Sequence, residues 1–155
     1  MDLIAHFVFG IWLAKKFQNF WAIFLSCIID IDHFFGYIYD KRKKQRIEIP
    51  SILHLAYRPR SWLHSFTGIL ILSIPFLFFL PPDLVFISLL SHLFFDLLDK
   101  NGIFLFPPLL NKKIRGRLPV GYLPEDPRYL KAHKRSHLPS ILLIIFTGIL
   151  LFYGI

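Results

Sequence analysis

Hydrophobic and polar positions along the chain segregate into five apolar runs separated by polar, mostly basic stretches. The runs are Leu3–Ala14, Phe20–Tyr39, Trp62–Leu80, Leu84–Leu98 and Leu138–Ile155. A helix spans a bilayer with about 20 apolar residues, within a range of roughly 17–25. The second, third and fifth runs reach that length, and the first and fourth fall short. The pattern predicts an all-α fold: a polytopic membrane helical bundle of about five helices, formed by residues 1–155 as a single membrane-embedded domain. Pro75 lies inside the third run and predicts a kink that neighbouring helices accommodate. Between runs, "KKFQN" and "PPD" read as tight turns. Asp40–Ser61 and Lys100–His137 read as long loops rich in Pro and Gly. "FLFPPLL" at 104–110 is apolar but broken by proline, so it reads as an interfacial dip rather than a span.

Composition agrees with this pattern. The chain is 55% hydrophobic and 18% charged, against about 45–50% and about 25% for ordinary soluble domains. Charge sharpens the topology. Net charge is +8, which by itself fits either a nucleic-acid or an anionic-membrane partner. The cations cluster in "KRKKQR" at 41–46, "RPR" at 58–60, and "KKIRGR" and "RYLKAHKR" within 112–135. All of these lie between apolar runs, as the positive-inside rule describes. The reading is therefore a multi-pass protein of the inner (cytoplasmic) membrane with no nucleic-acid partner. Residues 111–137 form a basic cytoplasmic loop facing anionic headgroups, and 138–155 form a C-terminal transmembrane helix. Lys15 and Lys16 oppose this orientation but are outnumbered. Cys27 is the sole cysteine, which excludes an intrachain disulfide or a multi-thiolate zinc site. The N-terminus carries an acid where a signal peptide has its basic region.

Seven ionisable residues interrupt the apolar runs: His6, Asp30, Asp32, His33, His64, His92 and Asp96. With helices alternating in direction, all seven fall within about 15 Å of one membrane face at about 1.5 Å rise per residue. The site is thus expected near the cytoplasmic face. Asp30 and His33 share a helix face at i, i+3, and His92 and Asp96 do so at i, i+4. Asp32 is out of phase with Asp30, so it is a ligand at an unwound end or a partner of one. Charges at membrane depth cost at least about 2.5–3.5 kcal/mol each, and carboxylates crowded together repel. Imidazoles with carboxylates make an N/O donor set suited to zinc, manganese or iron. One or two divalent ions would offset the negative charge, with zinc favoured.

Other polar residues have plainer readings. His54 lies in a basic loop. His133 and His137 sit among cations that suit anionic lipid better than a metal. Arg60, one turn before His64, can hold an anion or pair with a carboxylate. Ser65 and Ser91 adjoin histidines and could orient them by hydrogen bonds. Asp99 and Asn101-Gly102 read as the cap of the fourth helix.

In order and spacing, "LIAHFVFG", "DIDH" at 30–33, "RSWLHS" at 60–65 and "SHLFFDLLDKNGIFLFPP" at 91–108 resemble the membrane-bound metal-dependent hydrolase family, which includes the YdjM-like proteins. The resemblance covers about residues 1–110. Ile29 replaces the proline common before the first Asp, and Pro59, Ser61 and Leu63 depart from an "HRGxTHS"-like stretch, while the ligand-type residues are kept. Through distant similarity to zinc-dependent phospholipase C, the resemblance implies hydrolysis of a phosphoester or lipid-linked substrate by metal-activated water. It implies His6, Asp30, His33, His64, His92 and Asp96 as metal ligands, Asp32 as ligand or general base, and Arg60 as the contact to a phosphate. A metal-independent lipid phosphatase is disfavoured, because that type needs an arginine six residues before its final histidine and Phe86 stands there. The alternative class is a small ion or proton transporter, or a non-catalytic metal-binding membrane protein. Inverted repeats would mark a transporter, and none is visible.

Overall fold

The computed structural model describes residues 3–31, 62–98, 102–118 and 138–154. Among these are five α-helices: α1 (Leu3–Phe17), α2 (Trp21–Cys27), α3 (Phe66–Phe76), α4 (Pro82–Leu97) and α5 (Leu138–Tyr153). They are joined by a 3-10 turn at Ile28–Asp30 and a two-stranded antiparallel sheet of β1 (Ile103–Phe106) and β2 (Leu110–Ile114).

The all-α membrane bundle expected from the apolar runs is corrected on two counts. A β-hairpin is present, and no helix among the described residues is long and apolar enough to cross a membrane. The physical reason lies in how the runs are broken. In the second run, α2 lasts 7 residues before tightening into the 3-10 turn. In the third, the first residues form a turn capped by Ser65, whose hydroxyl accepts from Gly68 N–H at 3.0 Å. That helix then ends at Phe76, one residue past Pro75, which lacks an N–H and crowds the preceding turn. The fifth run yields 16 helical residues.

Local chemistry sets the other ends. α1 closes with Asn19 N–H bonded to the Ala14 carbonyl and Gln18 N–H to that of Lys15, a Schellman closure with Gln18 at φ 51°. The Asn19 side chain then accepts from Trp21 N–H at 3.1 Å and starts α2. Pro82 opens α4 at the one position where its missing N–H costs nothing.

α1 packs on α2 and α5, α2 on α4, and α4 on α3. Leu25, Ile29, Ile69, Leu89 and Leu93 form the centre of the apolar core. Gly10 sets the α1–α2 distance: a Cβ there would lie 2.9 Å from Ile23 Cα and 3.2 Å from Ser26 Cβ. α5 inverts the soluble pattern. It buries Ser140 and Thr147 and exposes Leu142, Ile145 and Phe146. Lys15 Nζ donates to the Leu151 carbonyl at 3.1 Å, placing a cation at the negative end of α5.

The hairpin, expected as an apolar dip, is held at its base. Ile103 is buried in the core. Phe104 bridges to Ser65, Leu118 N–H donates to the Leu98 carbonyl at 3.0 Å, and the Phe66 and Phe106 rings stack. Gly102 does not merely end α4. It has φ +62°, and a Cβ there would lie 1.9 Å from the Ile114 carbonyl oxygen, so only glycine lets the first strand leave the helix at this point.

Candidate metal centre

His6 near the start of α1, Asp30 in the 3-10 turn after α2, His64 before α3, and His92 and Asp96 in the last turns of α4 meet in one cluster. His6, His64, His92 and Asp96 are buried, and Asp30 alone reaches the surface, its side chain 13% exposed. Two of these positions follow from helical periodicity, since His92 and Asp96 are one turn apart on the buried face of α4. Two follow from interruptions of helix. The 3-10 turn carries Asp30, and the Ser65 cap fixes the turn that carries His64. Gly68 lets that turn close: a Cβ on it would stand 2.4 Å from the Leu63 carbonyl oxygen.

Nitrogen and oxygen atoms alternate in this cluster. His64 Nε2 lies 3.5 Å from Asp30 Oδ1 and 3.4 Å from Asp96 Oδ2. His92 Nε2 lies 3.5 Å from Asp30 Oδ1 and 3.4 Å from Asp96 Oδ2. His6 Nε2 faces the other oxygen of Asp96, Oδ1, at 3.4 Å. These are longer than the usual N–H···O distance of about 2.7–3.2 Å. Two donors about 2.0–2.1 Å from a tetrahedral ion stand about 3.3–3.4 Å apart. The five separations therefore suit donors arranged around a cation. His6, Asp30 and His92 form one group of donor atoms able to hold an ion, and His64, His92 and Asp96 form another.

The tautomer of His92 is set from behind. Its Nδ1 lies 2.6 Å from the Ser26 carbonyl oxygen. A carbonyl only accepts, so Nδ1 carries a hydrogen, and Nε2 is the ring nitrogen turned to the carboxylates of the cluster. Backing of this kind typifies metal-binding imidazoles. Burial and the adjacent His92 lower the His6 pKa to about 4. Burial also opposes charge on His92, but the carboxylates of Asp30 and Asp96 outweigh it and raise that imidazole to about 10. Two imidazoles stacked with centroids 3.7 Å apart thus differ sharply in proton affinity.

The chain matches the model of the YdjM inner membrane protein family over residues 1–155. It belongs to that family. No curated protein and no solved structure matches it. Membership of the YdjM family places the chain at the inner membrane. Its apolar outer surface, including Phe78, Ile74 and the outward face of α5, fits that setting.

Of the seven residues singled out in the apolar runs, five come together and two, Asp32 and His33, lie outside the described residues, as do Arg60, His54, His133, His137, Asp99 and Asn101. Ser65 caps α3 and bonds the Trp62 carbonyl. Ser91 donates to the Ser88 carbonyl of its own helix at 2.8 Å. These are the bonds seen for the two serines expected to orient histidines. Residue types gave no hint of the Ser26 carbonyl, because every residue carries one.

Proposed function

We propose that this protein is a metal-dependent hydrolase of the inner membrane acting on a phosphoester, carried by a lipid or lipid-linked molecule. The observation that carries this reading is the alternation of imidazole nitrogens and carboxylate oxygens at 3.4–3.5 Å around a common centre. A bound cation requires its imidazole ligands neutral and would displace the proton of His92; the two carboxylates then bring a charge of about −2, which one divalent ion cancels. When bound, such an ion supplies Lewis acidity and acidifies water. His64, His92, Asp30 and Asp96 would hold it, with His6 on the outer oxygen of Asp96 and His33 added from the sequence motif. The Ser26 carbonyl keeps His92 Nε2 facing inward. Asp30, the one member open to the surface, marks the side on which a substrate enters. Asp32 would take a proton from water or join the ligands, and Arg60 would neutralise the phosphate.

The test is elemental analysis of protein purified without added chelator, with a phosphoester and lipid substrate panel. We expect zinc, manganese or iron at one or more equivalents, and metal-dependent release of phosphate or a headgroup. A folded, metal-free wild-type protein that takes up none of these ions would sink the reading. Ion uptake into vesicles without hydrolysis would favour a transporter instead.

A further inference from the structure

The hairpin formed by β1 and β2 divides into two chemically distinct parts. Its tip is apolar and open to solvent: Leu109 is 93% exposed, and Phe106, Pro108 and Leu110 are exposed beside it. Its returning arm carries Lys112, Lys113, Arg115 and Arg117, and residues 102–118 contain no Asp or Glu. Lys113 lies over the Phe104 ring at 5.1 Å, so its stem lines the hairpin rather than extending freely. A water-facing loop would gain nothing from a bare leucine at its tip. A cation patch for a soluble anion would not need one.

The geometry points to the hairpin as a docking element for an anionic lipid leaflet, with the tip entering the headgroup–acyl boundary and the arm binding headgroup phosphates. Lengths agree. Leu109 and Lys112 are three residues apart, about 10 Å along an extended strand. Amphipathic segments bury their apolar side about 5–10 Å at that boundary. A tip seated to that depth leaves Lys112 among the headgroups, with Arg115 further out, where anionic lipid attracts cations. Charge complementarity thus selects a leaflet over a neutral protein surface. Membership of an inner membrane protein family supplies the partner.

The base of the hairpin adds a consequence. Phe104 bridges to Ser65, the neighbour of His64. A docked hairpin therefore sets lipid headgroups beside the turn that carries one wall of the buried cluster. This last link rests on the hydrolase reading, whereas the docking itself does not.

The test uses full-length protein with Cys27→Ser, so that Leu109→Cys offers a single thiol for an environment-sensitive fluorophore. The protein is reconstituted into bilayers of phosphatidylcholine alone or with phosphatidylglycerol, and helix content confirms folding. With phosphatidylglycerol, we expect blue-shifted emission quenched by acyl-chain-brominated lipid. Lys112→Glu with Arg115→Glu should weaken that insertion at least about thirtyfold, at about 1 kcal/mol per lost cation, and the same label at Arg117→Cys should stay water-like. A water-like Leu109 label in both bilayers overturns the proposal. So does insertion that is indifferent to lipid charge and to the double charge reversal. Metal content measured on the same samples reports on the buried cluster alone, so the two readings fail separately.

Discussion

His92 and Asp96 reach the buried cluster by one route, Asp30 and His64 by another. The first pair stand one turn apart on α4, a regular 16-residue helix, and periodicity alone aims them together. Asp30 and His64 stand where helix gives way, in a 3-10 turn and a capped turn. A helix offers side chains at fixed angles, two per face within one turn. To bring further donors to the same point from other elements, the chain has to end those elements at the right depth. The two breaks interrupt helix among the described residues and also deliver a carboxylate and an imidazole. Rigidity is therefore uneven: the helical pair is held by α4 itself, the other pair by caps and close backbone contacts.

The largest effect should come from the helical pair. His92→Ala with Asp96→Ala removes a nitrogen and both oxygens that face the three imidazoles. The double variant should fold and retain less than about a tenth of the wild-type metal, since even outer partners of ligands cost about 10–100-fold in affinity. Elemental analysis after dialysis reads this directly. Full metal retention would mean that the cluster on α4 is a packing device, and that binding lies elsewhere.

The turn pair is tested through its supports. Gly68→Ala would set a methyl 2.4 Å from the Leu63 carbonyl oxygen, so the turn holding His64 has to open. Overpacking of this kind costs about 1–3 kcal/mol, and displacement of His64 should cost about tenfold in metal affinity. If thermal unfolding shifts by several degrees while metal affinity is unchanged, His64 is not a ligand. The comparison then reduces to α4, α1 and the 3-10 turn.

How much of this was legible in the sequence follows the same division. The helices themselves, and the starts of all but α3, could be read, because apolar runs bounded by "KKFQN" and "PPD" are strong signals. Lengths could not. Hydropathy does not distinguish Ile28–Asp30 as 3-10 turn from α-helix, and it reads Trp62–His64 as part of the run that follows. The His92–Asp96 pair was legible from its spacing. The meeting of His6, Asp30 and His64 with it was expected from a depth argument that assumed membrane-spanning helices. That expectation needed the first run to traverse the membrane, and no described helix is long and apolar enough to do so; the residues meet instead at the ends of shorter elements. The hairpin escaped notice because "FLFPPLL" is too apolar for a loop and too broken by proline for a strand. Its register changes between Phe104 and Phe106, and it is held by contacts distant in sequence, to Ser65 and Leu98.

Ser65→Ala sharpens the comparison with a smaller effect. The hydroxyl caps α3 by accepting from Gly68 N–H, and cap removal typically costs about 0.5–2 kcal/mol. Fraying of the first turn should loosen His64 without deleting it. We expect metal affinity to fall several-fold, in step with the loss of stability, and Ser65→Asp to recover part of both, because a carboxylate also caps. An Asp variant no better than Ala would show that the bond to the Trp62 carbonyl, and not the cap, positions the turn.

Ser91→Ala should do least, and for that reason it tests the division most cleanly. Ser65 and Ser91 look alike in the sequence: each is a serine adjoining a histidine of the cluster, His64 and His92. On α4, however, the Ser91 hydroxyl bonds back to the Ser88 carbonyl within its own helix, a contact that slightly opposes helix formation. His92 takes its orientation from the Ser26 carbonyl and from the helix. Removing the hydroxyl should therefore leave metal affinity unchanged and stability within about 0.5 kcal/mol of wild type. A several-fold loss of metal from Ser91→Ala would mean that α4 positions His92 no more firmly than the capped turn positions His64, and the distinction between the two pairs would fail.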